Sequence, residues 1–406
     1  MELISGVIKS YDWGSRTALA ELTGRPVPSV HTEAEMWFGA HESAPSPLLE
    51  SSDPATLFGR IGVDPAAGLG EECNDAFGGK LPFLLKVLAA QKPLSLQAHP
   101  TEDQARAGFD GENRAGIPLD AAHRNYRDDR HKPELVVALE QFEVLAGFRG
   151  ISDTVDFLTA IDVPDLAEDV AALISSPTPK QLEQVVTRWL GMSSEHHARA
   201  SDVVLERATD LLASRGSIVD RYRAELSTAS ELARNYRGDS GVLMSLLLNR
   251  VTLAPGEGLY LPAGNLHAYL SGTAVEIMAN SDNVLRGGLT TKHVDVAELS
   301  KVLDFNPISA EVLRPHSAAT EFTYPTPARE FRLTRWELDD SVECVVKCPG
   351  PSIVLCTSGR ATIRCGSKAR RIGSGEAIWV PADESQLSVA ADGPHGQLFI
   401  GSVGGL

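Results

Sequence analysis

The chain has 406 residues, 43% hydrophobic and 22% charged, enough for two or three domains with cores of their own. A formal charge of -17 excludes a nucleic-acid groove or an anionic membrane surface as partner, because both need concentrated Lys and Arg, and no apolar run approaches the roughly 20 residues of a membrane span. Five cysteines without paired C-x-x-C spacing read as reduced thiols, mostly packed in strands, and residues 1–15 hold no apolar run of signal-peptide length, so the expectation is a cytoplasmic protein.

Up to about residue 149 the apolar runs are short, at 81–89, 94–97 and 135–139, with Pro, Gly and Asn between them, which reads as β structure with long loops. Gly78-Gly79-Lys80-Leu81 lacks the upstream Gly and following Ser or Thr of a phosphate-binding P-loop. From 153 to 237 the spacing becomes helical, as in Leu182, Val185, Trp189 and then Leu205, Ala208, Leu211, Leu212. His196 and His197 lie in the polar part of this insert and are expected at the surface. After helical spacing at 242–248, residues 251–270 read as strand, turn, strand, turn, strand. Asp295 with Glu298, ahead of Val296, Leu299 and Leu303, has the pattern of a capping box and an apolar stripe.

From about 321 short strands return, and Gly375-Glu376-Ala377-Ile378-Trp379-Val380-Pro381-Ala382 parallels residues 256–263, an internal repeat that predicts two jelly-roll units. The second copy has no histidine where His267 sits in the first, so only the first should hold a metal. The expected fold is mainly β: two cupin-like jelly-roll barrels plus a helical domain. Residues 1–149 and 241–320 form the catalytic barrel, 150–240 the helical insertion, and 321–406 a second barrel without a metal site.

Period-2 alternation puts Gln97 with His99, Lys132 with Glu134, and His267 with Tyr269 on common strand faces. Two imidazoles, a carboxylate and an amide oxygen suit a divalent metal such as zinc, and the scarcity of thiolates fits a catalytic site with a position open for substrate. Lys86 interrupts the apolar run Leu84-Leu85-Lys86-Val87-Leu88, so it needs a polar cavity or a carboxylate partner. Glu35 sits among apolar residues with no Lys or Arg nearby in sequence and reads as a site residue.

The segments Gln97-Ala98-His99-Pro100, His131-Lys132-Pro133-Glu134, Leu261-Pro262-Ala263-Gly264-Asn265-Leu266-His267-Ala268-Tyr269 and 276–292 (Glu276 to Lys292, including Asp282-Asn283-Val284-Leu285-Arg286-Gly287-Gly288) resemble type I mannose-6-phosphate isomerases. Tyr11-Asp12-Trp13-Gly14 and residues 34–41 resemble that family's opening segments. The resemblance implies that Gln97, His99, Glu134 and His267 hold one zinc ion per chain and that Arg286 is an active-site arginine. The reaction it implies is the interconversion of mannose 6-phosphate and fructose 6-phosphate through an enediol. Such a reaction needs a base, a proton donor and positive charge near the developing oxyanion.

Arg286 suits the electrostatic role, since a guanidinium is a poor proton shuttle. Lys132, Glu276 and Asp282 are the other catalytic candidates, and the sequence does not choose the base. Trp13, Glu35, Lys86, Tyr269 and Lys292 are candidates for substrate binding, the lysines supplying the basic pocket that an acidic protein needs for an anionic substrate. His131 is a candidate for assisting ring opening. Beyond the sugar phosphate no partner is expected, neither nucleic acid nor membrane, and the chain is read as a monomer. A ferrous cupin oxygenase and a non-catalytic sugar-phosphate sensor are the rival readings.

Overall fold

The β-branched and aromatic runs form two antiparallel sheets, of eleven and eight strands, in a computed structural model that describes residues 1–316, 320–339, 343–348, 350–384 and 386–405. The fold is mostly β with several helices, as expected. Each unit is an open sheet in its hydrogen bonding, with no closed barrel among the described residues. Phe83, Leu85, Val275 and Ile277 of the first sheet share one buried core with Leu333, Ile353, Leu355, Trp379 and Phe399 of the second. The chain's first strand, Glu2–Ile4, pairs with Ala377–Val380 in the second sheet, a crossing that divisions drawn along the sequence do not contain.

Between the strands Phe142–Phe148 and Leu248–Leu253 lie the helices Ile151–Ile161, Ala167–Ser175, Pro179–Leu190, Ser194–Ala213, Ser217–Asn235 and Ser240–Ser245. The three- and four-residue spacing works as anticipated: Leu182, Val185, Trp189, Val204 and Ala208 are all buried in one cluster. His197 departs from the expectation of a surface residue. It is buried, its Nε2 2.7 Å from the Trp189 carbonyl, because it falls on the apolar face of its helix, whereas His196 is exposed and bonded to Ser193.

Besides the short helix Ala18–Leu22, four helices occupy stretches that read as loops: Leu57–Val63, Pro65–Leu69, Glu71–Phe77 and Glu102–Arg114. Their starts carry local signals, since Thr56 and Asp64 cap the first two, with Pro65 opening the second, and Thr101 with Gln104 completes a capping box. At Val296–Val302 the pattern is only half used. Asp295 accepts the Glu298 N–H, but the Glu298 carboxylate takes its bonds from Tyr126 and Lys301.

The internal repeat is a repeat of geometry. Gly256 and Gly375 both have φ +82°, a region that disfavours side chains. Each donates its N–H to a strand carbonyl, Ala138 or Cys356, at 2.8 Å, and the next residue, Glu257 or Glu376, accepts the N–H of that same strand residue at 3.0 Å. Even the side chains agree: Glu257 accepts from the Ala254 N–H at 2.9 Å and Glu376 from the Gly373 N–H at 2.8 Å.

Candidate active site

The strand Leu96–Ala98 lies against the start of His267–Ala279 on one side and against Leu285–Gly288 on the other, so Gln97 sits opposite both His267 and Arg286. His99 follows directly, and Glu134 opens the strand Glu134–Ala138 that pairs with the far end of His267–Ala279. Pairing a short strand with a long one in this way gathers residues distant in sequence around one buried point.

Ligating atoms of His99, Glu134 and His267 all lie within 4.8 Å of one another. His99 Nδ1 is 2.7 Å from the Asn283 carbonyl and His267 Nδ1 2.9 Å from the Asn265 carbonyl. A carbonyl only accepts, so both rings carry their proton on Nδ1 and present a bare lone pair at Nε2. Those lone pairs face Glu134, His99 Nε2 at 3.2 Å from Oε1 and His267 Nε2 at 3.3 Å from Oε2. His99 Nε2, Glu134 Oε2 and His267 Nε2 are buried without a hydrogen-bond partner. Three buried acceptors aimed at one point are costly unless a cation joins them, and a two-imidazole, one-carboxylate set is a donor set for zinc. Burial holds the His99 pKa below the ordinary histidine value, keeping it neutral as a ligand must be. Burial opposes ionisation of Glu134, but the carboxylate's pKa lies well below its ordinary value, with the Lys132 ammonium 3.6 Å away favouring the charged form.

Beside this cluster opens a cleft of about 1340 Å³, lined among others by Trp13, Glu35, Lys86, Gln97, Lys132, Glu134, Tyr269, Glu276, Asp282, Arg286 and Lys292. It exceeds the roughly 300–1,000 Å³ of common small-molecule pockets, space enough for a sugar phosphate. Of the residues singled out for substrate or catalysis, all but His131 line this one cleft. Lys132 Nζ is 3.6 Å from Glu134 Oε1.

Lys86 has the carboxylate partners its burial demanded: Glu276 Oε2 lies 3.2 Å from its Nζ and Glu35 Oε1 3.8 Å. Burial pushes the ammonium down, but Glu35, Glu276 and Glu134 together raise its pKa, so it stays a cation. Its Nζ also sits 4.9 Å over the Trp37 ring, and the Trp37 Nε1–H donates to Glu35 at 2.6 Å. Tyr269 donates its hydroxyl to Glu276 Oε1 at 2.8 Å, and burial followed by that carboxylate raises the phenol's pKa well above its usual value. Glu276 is itself raised, first by burial, with Lys86 opposing and Glu134 and Glu35 adding. Asp282 is the contrasting carboxylate: the hydrogen bond from His41, whose Nε2 lies 3.3 Å from Oδ1, leads the causes that lower its pKa.

Arg286 and Lys292 lie near Arg127, and burial followed by the neighbouring cations lowers both pKa values. Trp13 stacks on Tyr11 with ring centroids 5.7 Å apart. His131 belongs elsewhere. Its Nε2 pairs with Glu330, in the bend before the strand Arg332–Asp339, at 2.8 Å beside a separate cavity of about 40 Å³ that Pro82 and Asn280 also line, and a role in ring opening is not supported.

Sequence reasoning missed Arg127, His41 and Asn283. Arg127 stands in a loop without periodicity, and Asn283 acts through main-chain and amide contacts that no spacing announces. The Asn283 carbonyl fixes the His99 tautomer, while its side chain accepts the Arg127 N–H at 2.7 Å and donates to the Asp128 and Arg130 carbonyls, both at 2.8 Å.

Residues 1–151 match the family described as phosphomannose isomerase type I, catalytic domain. The chain is 38% identical over 402 residues to the mannose-6-phosphate isomerase of Escherichia coli (strain K12), covering 98% of each chain, and 32% identical over 417 residues to that of Bos taurus, covering 96% of each. It superposes with a TM-score of 0.88 on a crystal structure of mannose 6-phosphate isomerase bound with zinc and yttrium, at 36% identity and over 100% of both chains.

Proposed function

The chain belongs to the type I phosphomannose isomerase family, and from that membership we infer that it interconverts mannose 6-phosphate and fructose 6-phosphate in the cleft beside His99, Glu134 and His267. It is an aldose-ketose isomerase, and its cofactor is zinc. The observation that carries the reading is the convergence of three buried, unpartnered ligand atoms next to a cleft walled by Lys86, Lys132, Arg286 and Lys292. Gln97, opposite His267 in the ladder, is proposed as the fourth ligand. Zinc, when bound, supplies Lewis acidity that polarises the sugar oxygens.

The chain's own residues do the rest. Arg286, permanently cationic and on the cleft wall, is proposed to face the developing negative charge of the enediolate. Lys132, with its Nζ 3.6 Å from Glu134, is proposed to return a proton to a substrate oxygen. Of the two carboxylate candidates for carbon-bound proton transfer, Glu276 has the raised pKa and Asp282 the lowered one, and a base works best when its pKa approaches the working pH. The supported assignment is therefore Glu276 as base, with Lys86 and Tyr269 as the donors that orient it, and Asp282 as partner of His41. Trp13 and Glu35 wall the pocket, Glu35 through its hold on Lys86 and Trp37.

No helix among the described residues is long and apolar enough to cross a membrane. The free state of all five cysteines supports a reducing compartment, which we take to be the cytoplasm, with the enzyme as a monomer that light scattering would check. The functional test is a coupled assay on mannose 6-phosphate with the wild type and Arg286→Ala. The wild type should turn over, and the variant should lose at least about 10²-fold in kcat with zinc content unchanged. Loss of zinc from the variant would contradict the electrostatic role, and an inactive, zinc-loaded wild type would favour the sugar-phosphate sensor.

A further inference from the structure

The three cations Arg127, Arg286 and Lys292 stand together at the cleft, and like charges disperse unless something holds their backbones in place. Two of the holds are already described. Arg286 is fixed by its ladder partner Gln97, and Arg127 by the Asn283 amide. Lys292 lies on the loop after Leu285–Gly288, where Leu289 has φ +53°, one of two non-glycine residues with positive φ among those described. A left-handed leucine is strained and persists only where surrounding contacts impose it.

The contacts come from the end of the helical insertion. Asp239 Oδ1 accepts the Gly241 N–H at 2.7 Å and the Leu289 N–H at 2.6 Å, and Oδ2 accepts the Thr290 N–H at 3.2 Å. Ser240 donates its hydroxyl to the Gly287 carbonyl at 3.2 Å. The two backbones touch: a Cβ on Gly241 would lie 2.7 Å from the Leu289 nitrogen, and one on Gly288 would run into the Gly241 nitrogen. The Leu289 side chain is buried in the helical core, so the turn is pinned from both sides.

We propose that Asp239 is a positioning residue for substrate binding: by locking the left-handed turn at Leu289 it presents Lys292 as the third cation of a pocket for the sugar's phosphate group. This gives the helical insertion a task at the site, since the latch forms where that insertion returns to the sheet. The inference rests on the reading of Lys292 as a phosphate-binding residue.

The test measures KM and kcat for mannose 6-phosphate, the inhibition constant of inorganic phosphate and the zinc content, for Asp239→Asn, Lys292→Ala and the double variant. A grip on the non-reacting phosphate is made equally in ground and transition states, so losing it raises KM with little change in kcat. Asp239→Asn should raise KM and the phosphate inhibition constant together by about tenfold, the size of a lost hydrogen bond to a charged group, with kcat and zinc near wild type. Added to Lys292→Ala, it should have no further effect on KM. If Lys292→Ala leaves KM unchanged, the phosphate-binding reading of Lys292 fails. If Lys292→Ala raises KM while Asp239→Asn only lowers Tm, or if the two effects multiply, the positioning role is overturned. Asp239→Ser keeps a cap for Gly241 but is too short to reach Leu289 and Thr290 as well, and it carries the same test should the asparagine variant fold poorly.

Discussion

The turns at Gly256 and Gly375 share a φ of +82° and the same hydrogen bonds to main chain and glutamate, and each opens a four-residue strand, Gly258–Leu261 or Ala377–Val380, that is followed by the longest strand of its sheet, His267–Ala279 or Gln386–Ser402. The ladders set the correspondence. Glu134 stands opposite Leu261 in the first sheet and Ser352 opposite Val380 in the second, while His267 and Gln386 open their strands at the same interval after the glycine. Where the first sheet places a histidine and a carboxylate, the second places an exposed glutamine and a buried serine satisfied by the Gly350 carbonyl at 3.0 Å. One frame therefore supports either a metal cluster or a plain apolar core. The chemistry lies in a few side chains added to the frame.

Swapping those side chains breaks the comparison most severely. His267→Gln, which installs the second sheet's residue, should abolish zinc retention and cut turnover by at least about 10³-fold, measured by metal analysis and the coupled assay. Glu134→Ser should behave alike. Retained zinc in either variant would mean that the cluster does not hold the metal.

The next effect separates frame from chemistry. Alanine at either glycine forces a left-handed side chain and should cost about 1–2 kcal/mol in denaturant unfolding. Gly375→Ala should be the more damaging to stability, since its Cβ would lie 2.6 Å from Thr23 Cγ2 and 3.2 Å from Thr23 Cα, whereas at Gly256 it meets the movable end of Arg335. Only Gly256→Ala should also lower turnover, because its turn leads to His267.

The smallest effect probes the contact between the two sheets. Burial lowers the His131 pKa, but the hydrogen bond and charge of Glu330 outweigh it and leave it raised, while Glu330 is lowered through the same pair despite its burial. A raised histidine stabilises fully below its unfolded pKa, about 6.5, and loses that contribution as pH rises through the folded value. A lowered carboxylate stabilises above its unfolded pKa, about 4.3, and loses that contribution as pH falls through its folded value. Glu330→Gln should therefore lower Tm by about 1–3 °C near pH 5.5 and by much less at pH 9. An equal loss at both pH values would show that packing, not charge, joins the sheets there.

How much of this was legible in the sequence follows from which atoms do the work. Period-2 spacing pairs Lys132 with Glu134, which lie 3.6 Å apart, the charge inside an apolar run exposed Lys86, and the Gly-Glu repeat revealed the paired turns. Asn265 and Asn283 fix the histidine tautomers through carbonyl oxygens, which every residue possesses, so no residue type marks them. His131 escapes a local reading for a related reason: its neighbours in sequence belong to the site, but its partner Glu330 comes from the bend before the strand Arg332–Asp339, 199 residues away. The early helices were missed because glycine and proline there were read as loop markers, although Thr56, Asp64 and Thr101 were capping residues in plain view.

The central claim is that the first sheet alone turns the shared frame into a single zinc-dependent catalytic centre. Its most direct test is to strip the metal with a chelator and titrate zinc back while following isomerisation of mannose 6-phosphate. Activity should vanish on stripping and return linearly until one zinc per chain is bound, with His267→Gln recovering nothing. Full activity in the metal-free protein, or a requirement for a second zinc, would contradict it.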